Sequence, residues 1–492
     1  MNRRKKMMLT LSLLTVFSLG TATVQAREKL HFTTDPKLTE KAVEAQMKQT
    51  NNERTVNFDN MLLQKNLGTM ISEIKESQPA QTLDIDLKGA VATAIQNNRD
   101  IRLSELSLEE AEAAVSQAAA GKNPSLGYSW RRNQIKASST AAVNAGTNHG
   151  YVQGLNLTWP IWTGGAVEGA IDAARYAEDI AHINVYQTEA ATKLAAAKAY
   201  YQYLEMTNLA EIADESVKNL DGHMTNVQQQ YNAGIVAKLD VLSSNVSLAN
   251  AKQSSISAQN NRDIAEANLN NIMRLPLQTK LNPSDRNFPE PAFDITMEQA
   301  IAMGHKYRWE LIKADYNVRI AKEQVRIAKA GYMPTVAVGG GYEWGTAGFS
   351  GFEKDDWTVY GTVSWNLWDG GVTDAKIKSA NAGLKSAEEL LLQTRETIEL
   401  EIRQDYLNVL SAKEQIRAAE ASVEQAEEAY KIATVRYRSG VGINLDVLDA
   451  QLALNQARTN YITALYNYNI GLATLENAMG IPAVMHPEFT GN

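Results

Sequence analysis

The 492-residue sequence contains no cysteine, and prolines and aromatic residues are few. Without thiols the chain has no disulfide scaffold, no thiolate zinc site, no cysteine nucleophile and no cysteine for an N-terminal lipid anchor. Basic residues are not in excess either: 48 Lys and Arg stand against 56 Asp and Glu, a formal net charge of −8. Because nucleic-acid binding requires a basic face, we expect no nucleic-acid partner.

Long apolar runs and clustered ligand residues are also missing. After the N-terminus no stretch approaches 18 consecutive apolar residues, which excludes a transmembrane helix. The six histidines are scattered without metal-ligand spacing, and no phosphate loop is present. We expect no metal, no cofactor and no enzymatic activity. The mean hydropathy of −0.32 is by itself that of a soluble protein.

Residues 1–26 have the order of a secretory signal peptide. A basic segment (3–6) precedes an apolar segment (7–19) and small residues that end at Ala26. The alternative is an N-terminal membrane anchor. Removing these residues changes the net charge from −8 to −12, because they contain four basic and no acidic side chains. Without a spanning helix, an exported protein reaches a membrane as a β-barrel or by surface association. Residues 27–80 are a polar N-terminal extension without an assigned function.

The remaining chain is a tandem repeat, which decides the architecture. Residues 81–275 form the first copy and residues 292–482 the second; 276–291 form a proline-rich linker and 483–492 a tail. Each copy is predicted to contain a first helix, two strands, a very long helix and a last helix. The predicted helices cover 87–120, 165–231 and 240–274 in the first copy, and 297–330, 371–437 and 446–480 in the second.

The long helices carry heptad patterns typical of a coiled coil. In the second copy Ile398, Ile402, Tyr406 and Leu410 step by four, a phase shift that interrupts the heptads. An ordinary long helical bundle would explain the heptads equally well. The two heptad stretches are Ile377, Ala380, Leu384, Ala387, Leu391, Thr394 and Ile398, and Ala419, Val423, Ala426, Tyr430, Ala433 and Tyr437.

Four segments alternate apolar and polar residues, at about 124–132, 151–161, 334–344 and 357–367. Such segments of roughly ten residues are typical of transmembrane β-barrels. Three consecutive glycines, 339–341, lie within one of them, and we interpret them as relief of crowding.

Seven of the eight tryptophans lie in or beside these strands, as expected for an aromatic belt at the membrane interface. A small soluble sheet with tryptophan in its core is the alternative. Because four strands cannot close around a water-filled lumen, the chain must oligomerise, and a homotrimer would supply twelve strands. The seven residues are Trp130, Trp159, Trp162, Trp344, Trp357, Trp365 and Trp368.

Over residues 81–482 the sequence resembles the TolC-type outer-membrane efflux protein family. Trp-x-Gly-Gly precedes each long helix (162–165 and 368–371), and Tyr-x-x-Gly followed by Leu-Asp-Val-Leu comes twice. The resemblance implies a mainly α-helical fold, an antiparallel coiled-coil α-helical barrel with four β-strands per chain, closing as a 12-stranded barrel in a homotrimer. It also implies contact with outer-membrane lipid, an extension into the periplasm, a periplasmic adaptor, and an inner-membrane pump of RND, ABC or MFS type.

The resemblance places a ring of aspartates at the pore constriction, where Asp446 and Asp449 match. They lie on one helix face, and a trimer would present six carboxylates, which favour cations. Alternatively, Asp446 and its first-copy counterpart Asp240 are only helix N-caps. Asp449 has no acidic counterpart, since Ser243 takes that position.

The family's closed tip is held by an Arg and a Tyr that bond to a Thr-Asp pair of the first copy. Tyr437 and Asp240 match two of these residues, and we assign them to tip gating. Gly442 and Leu239 replace the Arg and the Thr, so half of the lock is missing; its candidates are Arg436, Arg438 and Lys238. We expect positive φ at the tip turns Gly234 and Gly440, where the family meets its adaptor.

Two functions follow as hypotheses. The first is a channel that exports small molecules, such as drugs and toxic compounds, or secreted polypeptides. The second is a structural coiled-coil protein that tethers the outer membrane or projects from it.

Overall fold

The computed structural model describes residues 82–136, 147–284, 286–346 and 354–481. The predicted signal peptide, the polar extension 27–80 and the tail 483–492 lie outside these residues. So do parts of the loops between the strands of each predicted pair.

The two copies have the same order of helices and strands. Their long helices, α3 (Ala166–Asn232) and α7 (Val372–Arg438), contain 67 residues each, a length of about 100 Å. The first copy contains β1 (Thr82–Ile85), α1 (Leu87–Asn97), α2 (Arg99–Ala120), β2 (Ser125–Lys136), β3 (Thr147–Trp162), α3 (Ala166–Asn232) and α4 (Lys238–Met273). Then follow β4 (Lys280–Pro283), α5 (Met297–Tyr307), α6 (Trp309–Lys329), a 3₁₀ turn (Ala330–Tyr332), β5 (Thr335–Thr346), β6 (Lys354–Ser364), α7 (Val372–Arg438) and α8 (Asn444–Ala478).

The prediction of one continuous first helix in each copy is wrong. Asn98 separates α1 from α2 and Arg308 separates α5 from α6, and both have extended backbone angles (ψ 130° and 125°). The Asn98 Oδ1 accepts the backbone N–H groups of Asp100 and Ile101 at 2.6 and 3.3 Å, and so caps α2. A side chain that bonds its own backbone competes with helix continuation.

The predicted linker 276–291 contains a strand. This strand, β4, pairs in parallel over four residues with β1, the first strand of the first copy. Buried groups hold this pair: the Tyr203 hydroxyl donates to the Leu281 carbonyl at 2.6 Å, and the Glu266 carboxylate accepts the Leu281 N–H at 2.7 Å. The linker is therefore fixed to the middle of α3 and to the C-terminal part of α4.

The four longer strands form one antiparallel sheet in the order β2-β3-β5-β6. β6 ends at Ser364, three residues before the predicted end at 367. Gly339 lies opposite Tyr360, and a Cβ at this glycine would overlap the phenol ring. The glycine therefore makes room for an aromatic side chain on the next strand, in agreement with the interpretation as relief of crowding.

Burial along α7 follows the predicted heptads. Every residue of the two heptad stretches is buried or half-buried, while most neighbouring positions are exposed. The phase shift is misplaced at one residue: Leu410 is 38% exposed, whereas Val409 is fully buried. The stripe returns to a spacing of three after Tyr406, because Val409 rather than Leu410 faces the core. In the described part of the chain no helix combines the length and the apolar character of a membrane span.

Candidate functional sites at the helix tips and on the sheet

The α3–α4 turn (233–237, the first tip) and the α7–α8 turn (439–443, the second tip) have the same geometry. Gly234 has φ 74° and Gly440 has φ 75°, which confirms the expected positive φ. The N–H of the residue after each glycine bonds back to a carbonyl five residues earlier, Gln230 or Arg436. This is the Schellman pattern, which terminates a helix and requires a left-handed residue.

Changing Gly440 to Ala should therefore lower the free energy of unfolding by about 1 kcal/mol. The cost is backbone strain alone, because no atom lies within 4 Å of a Cβ built there. Gly383 is the matched control: it lies within α7, also with open space around its Cβ, but without positive φ. Gly383→Ala should stabilise by about 0.5–1 kcal/mol. Urea unfolding at equal protein concentration, followed by circular dichroism, measures both; equal effects would contradict the assignment.

The candidate constriction residues are exposed in the single chain. Asp446 and Asp449 both point away from the buried side of α8, three residues apart. The alternative that Asp446 and Asp240 are N-caps is wrong, because Ile443 and Ala237 occupy the N-cap positions. Asp240 and Asp446 each lie in the first turn of their helix, where a negative charge is favourable.

Tyr437 lies inside the tip rather than on its surface. It packs in a small apolar cluster with Val227, Val241 and Val447. Within the described residues its hydroxyl is buried without a hydrogen-bond partner, so the bond to Asp240 that the resemblance implied is absent from this chain. Burial, and to a lesser extent the negative charge of Asp240, raises the pKa of Tyr437.

Asn444 joins the two tips, and sequence reasoning missed it. It is the first residue of α8, it is only 4% exposed, and its carboxamide bonds to residues of α3 and α4. Its Oδ1 accepts from the Nε2 of His223 at 2.6 Å and from the Ser244 hydroxyl at 3.1 Å. Its Nδ2 donates to the Ser243 hydroxyl at 3.0 Å and to the Asp240 carbonyl at 3.3 Å.

The basic candidates for the missing half of the lock make no bond across the tips in the single chain. Within the part of the chain that the structure describes, the side chains of Arg436, Arg438 and Lys238 form no hydrogen bond or ion pair. One sequence signal could have pointed to Asn444: the repeats differ at this position, where the first copy has Lys238.

One face of the sheet is a mostly apolar wall. The strand register places Leu126 beside Leu157, Leu155 beside Tyr342, and Val336 beside Val363. The opposite face carries Thr, Ser, Asn and Gly residues. Since directly paired residues of antiparallel strands share a face, the alternation predicted for each segment agrees across all four strands.

The tryptophans of the sheet occupy two levels of this wall. Trp130 and Trp344 both pair with Gln153, near the loops, while Trp159 pairs with Val338 at the helix end. The two levels are six residues apart along β5, or about 20 Å. Most of these side chains are exposed in the single chain, up to 75% for Trp357 in β6.

The tryptophans at the helix end are fixed in the same way in both repeats. The indole N–H of Trp159 donates to the Lys122 carbonyl at 3.0 Å, and that of Trp365 donates to the Tyr332 carbonyl at 3.1 Å. Trp162 and Trp368 follow three residues later. The eighth, Trp309, lies elsewhere and stacks on Tyr186 with ring centroids 5.8 Å apart.

One histidine is closer to acidic residues than the sequence indicated. Side-chain ligand atoms of Glu112, Glu178 and His182 lie within 4.8 Å of one another, on α2 and α3. The statement that no histidine has metal-ligand spacing is therefore wrong for His182, which lies four residues after Glu178. All three residues are at least partly exposed, and this arrangement alone assigns no metal.

The comparisons with known proteins agree with this architecture. The family profile of the outer membrane efflux proteins matches residues 90–273 and 306–481. TolC of Escherichia coli K12 is 25% identical over 313 residues, 60% of this chain and 62% of that protein, so the match spans less than two thirds of it. TolC of Vibrio cholerae is 20% identical over 422 residues, 85% of this chain and 91% of that protein.

A solved membrane protein from Pseudomonas aeruginosa has the same fold. It superposes with a TM-score of 0.73 at 21% identity, over 82% of this chain and 91% of that one. The fold is that of the TolC-type outer-membrane channels. The chain belongs to the outer membrane efflux protein family; it is an outer-membrane protein that extends into the periplasm.

Proposed function

We propose that three copies of the chain form an export channel whose sheets close into one 12-stranded barrel. The observation that carries this proposal is the four-stranded sheet with an apolar wall and two open edges, β2 and β6. Unpaired strand edges are not tolerated in lipid, because their backbone groups find no water. Pairing β2 of each copy with β6 of the next satisfies every edge in a closed ring.

The dimensions of the wall fit a bilayer. Its two tryptophan levels, about 20 Å apart, match the aromatic girdles that border the apolar band of outer-membrane barrels, roughly 25 Å tall. The polar face, with Asn156, Thr158 and Thr358, then lines a lumen that holds water. A soluble sheet with a tryptophan core is disfavoured, since Trp357 and Trp365 are exposed.

The helices supply the periplasmic part of the conduit. α3 packs against α4, and α7 against α8, as two long hairpins. Three copies give six hairpins, which form the tunnel, with Asp446 and Asp449 at its narrow entrance. Tyr437 and Asp240 then belong to the region that opens and closes.

The tips carry exposed apolar residues that suit a protein partner. Ile235 next to Gly234, and Val441 next to Gly440, are both exposed, as are Leu239 and Ile443. We assign this surface to a periplasmic adaptor, which connects the channel to an inner-membrane pump of RND, ABC or MFS type. The channel itself performs no catalysis; its cargo is small molecules, such as drugs and toxic compounds, or secreted polypeptides.

A structural coiled-coil tether is the alternative function. A tether needs neither a polar wall inside the sheet nor carboxylates at an entrance. Native mass spectrometry of the purified protein in detergent should find three chains and no free monomer. A monomer or a dimer would contradict the channel, because four or eight strands of this sheet leave no adequate water-filled lumen.

A further inference from the structure

Asn444 is a polar side chain in a buried position at the end of an otherwise exposed turn. Val441, Ile443 and Leu445 around it are exposed, whereas Asn444 is almost completely buried against the other hairpin. Burying a carboxamide is unfavourable unless its groups are bonded. This inversion, with apolar residues outside and the amide inside, indicates a specific role.

The carboxamide uses its full bonding capacity across the hairpins. Two donors reach its oxygen, and its nitrogen donates two bonds, the most that an asparagine NH₂ group can donate. All four partners belong to the first hairpin: His223 on α3, and Asp240, Ser243 and Ser244 on α4. Beside the amide, the tips also pack through the apolar cluster around Tyr437. Apolar contacts are non-directional, so the four bonds of the amide contribute the directional contacts that fix the register at the tips.

We infer that Asn444 is a clamp that fixes the start of α8 on the first hairpin and thereby positions the carboxylates of Asp446 and Asp449. These aspartates follow two and five residues later on the same helix. Because α8 is rigid, the position of Asn444 determines the positions of both aspartates. The clamp therefore sets the distance of their carboxylates from the pore axis. The inference rests on the proposed channel function and adds a positioning residue to it.

The clamp is most stable when His223 is neutral. A protonated ring would also donate from Nε2, but its charge is unfavourable in this buried position. Because the Asn444 oxygen is an acceptor, the Nε2 of His223 carries the proton in this bond. Burial lowers the pKa of His223 despite the bond to Asn444, and the positive charge of Arg438 on α7 lowers it further. Tyr437 on α7 also packs against His223, with ring centroids 5.0 Å apart.

The pH dependence follows from this depressed pKa. When the clamp opens, His223 becomes hydrated and binds a proton more tightly, with an ordinary pKa of about 6.5. The clamp is therefore fully stable above this value and loses stability as the pH falls below it.

The test compares channels of Asn444→Ala and of the wild type in planar bilayers. The variant should show a several-fold higher conductance and a cation preference closer to unity, because the carboxylates move away from the axis. Asn455→Ala is the matched control: Asn455 also bonds from α8 to α3, through Ser216 at 2.7 Å, but three turns from the tip. It should leave both quantities unchanged.

A covalent cross-link between α4 and α8 should replace the hydrogen bonds of the Asn444 amide. The chain has no cysteine, so Ser243→Cys with Asn444→Cys can be bridged by a short cleavable thiol cross-linker. Bridging should return the conductance to that of the wild type, and reduction should raise it again. Wild-type values in Asn444→Ala with an intact trimer would overturn the clamp, whereas a wild type without conductance would overturn the channel itself.

A second experiment distinguishes the protonation of His223 from that of the carboxylates, which also titrate in acid. His223→Gln retains an N–H donor but does not titrate. Between pH 7 and pH 5 the wild type should gain conductance that the Gln variant does not. Identical pH profiles would overturn the assignment of His223 as the titrating group of the clamp.

Discussion

Replacing Asp446 and Asp449 together by Asn should remove most of the cation preference of the channel. The substitution keeps the side-chain shape, and in a trimer it removes six charges from one narrow entrance. Even in water a carboxylate roughly 6 Å from a cation stabilises it by about 0.7 kcal/mol. Several such groups together exceed the roughly 1.4 kcal/mol that corresponds to a tenfold concentration ratio.

The measurement is the reversal potential of single channels in a potassium chloride gradient. The salt concentration should stay at or below about 0.1 M, where the screening length is about 10 Å. Glu109→Gln with Glu110→Gln is the matched control, since it removes the same charge from exposed residues of α2, far from the tips. An unchanged reversal potential in the aspartate variant, or an equal change in the control, would contradict the constriction.

Replacing Arg308 by Ala should destabilise the protein by about 2–4 kcal/mol. This guanidinium is buried at the break between α5 and α6. It donates to Glu310 at 2.6 Å, to both carboxylate oxygens of Glu401 at 3.0 and 2.8 Å, and to the Asn477 carbonyl at 3.1 Å. One side chain thus connects α6, α7 and the end of α8. Its loss leaves two carboxylates and a carbonyl without their donor.

Two further variants make this prediction specific. Arg308→Lys keeps the charge but loses the planar fork, so an intermediate loss is expected. Arg403→Ala is the control, because Arg403 is exposed and its ion pair with Glu399, at 3.6 Å within α7, contributes at most about 0.5 kcal/mol. Urea unfolding in detergent at equal protein concentration gives the three values. A loss in Arg308→Ala no larger than in Arg403→Ala would show that the buried network is dispensable.

The sequence predicted those features whose signal repeats along the chain. Periodicity predicted the heptads of α7 and the alternation in each strand. Residue type predicted the positive φ of Gly234 and Gly440, because glycine adopts this conformation without strain. The strand alternation and the tip glycines are also present in both copies. Gly234 and Gly440 lie 206 residues apart, and a pattern that occurs twice at such a separation indicates structural constraint rather than chance.

The features that were missed depend on contacts between distant residues. The extended backbone at Asn98 and Arg308 interrupts sequences that are helical on both sides, and the break at Arg308 is held by residues up to 169 positions away. β4 is four residues long and gains its strand form only by pairing with β1. Local patterns carry no information about such partners.

Contacts between distant residues also limited the prediction of the candidate site at the tips. The resemblance identified Tyr437 and Asp240 by position, but it could not show that the tyrosine hydroxyl lies inside an apolar cluster. Asn444 was missed because a polar residue at the start of a helix is ordinarily exposed. Its role depends on His223 and Ser244, which lie 221 and 200 residues before it in the chain.

Single-channel recording of the purified wild-type protein in planar bilayers tests the central claim most directly. The account predicts discrete conductance steps of one size, with potassium more permeant than chloride. A protein that is folded, trimeric and inserted in the bilayer, yet gives no conductance at any voltage or pH, would contradict the channel and favour a structural tether.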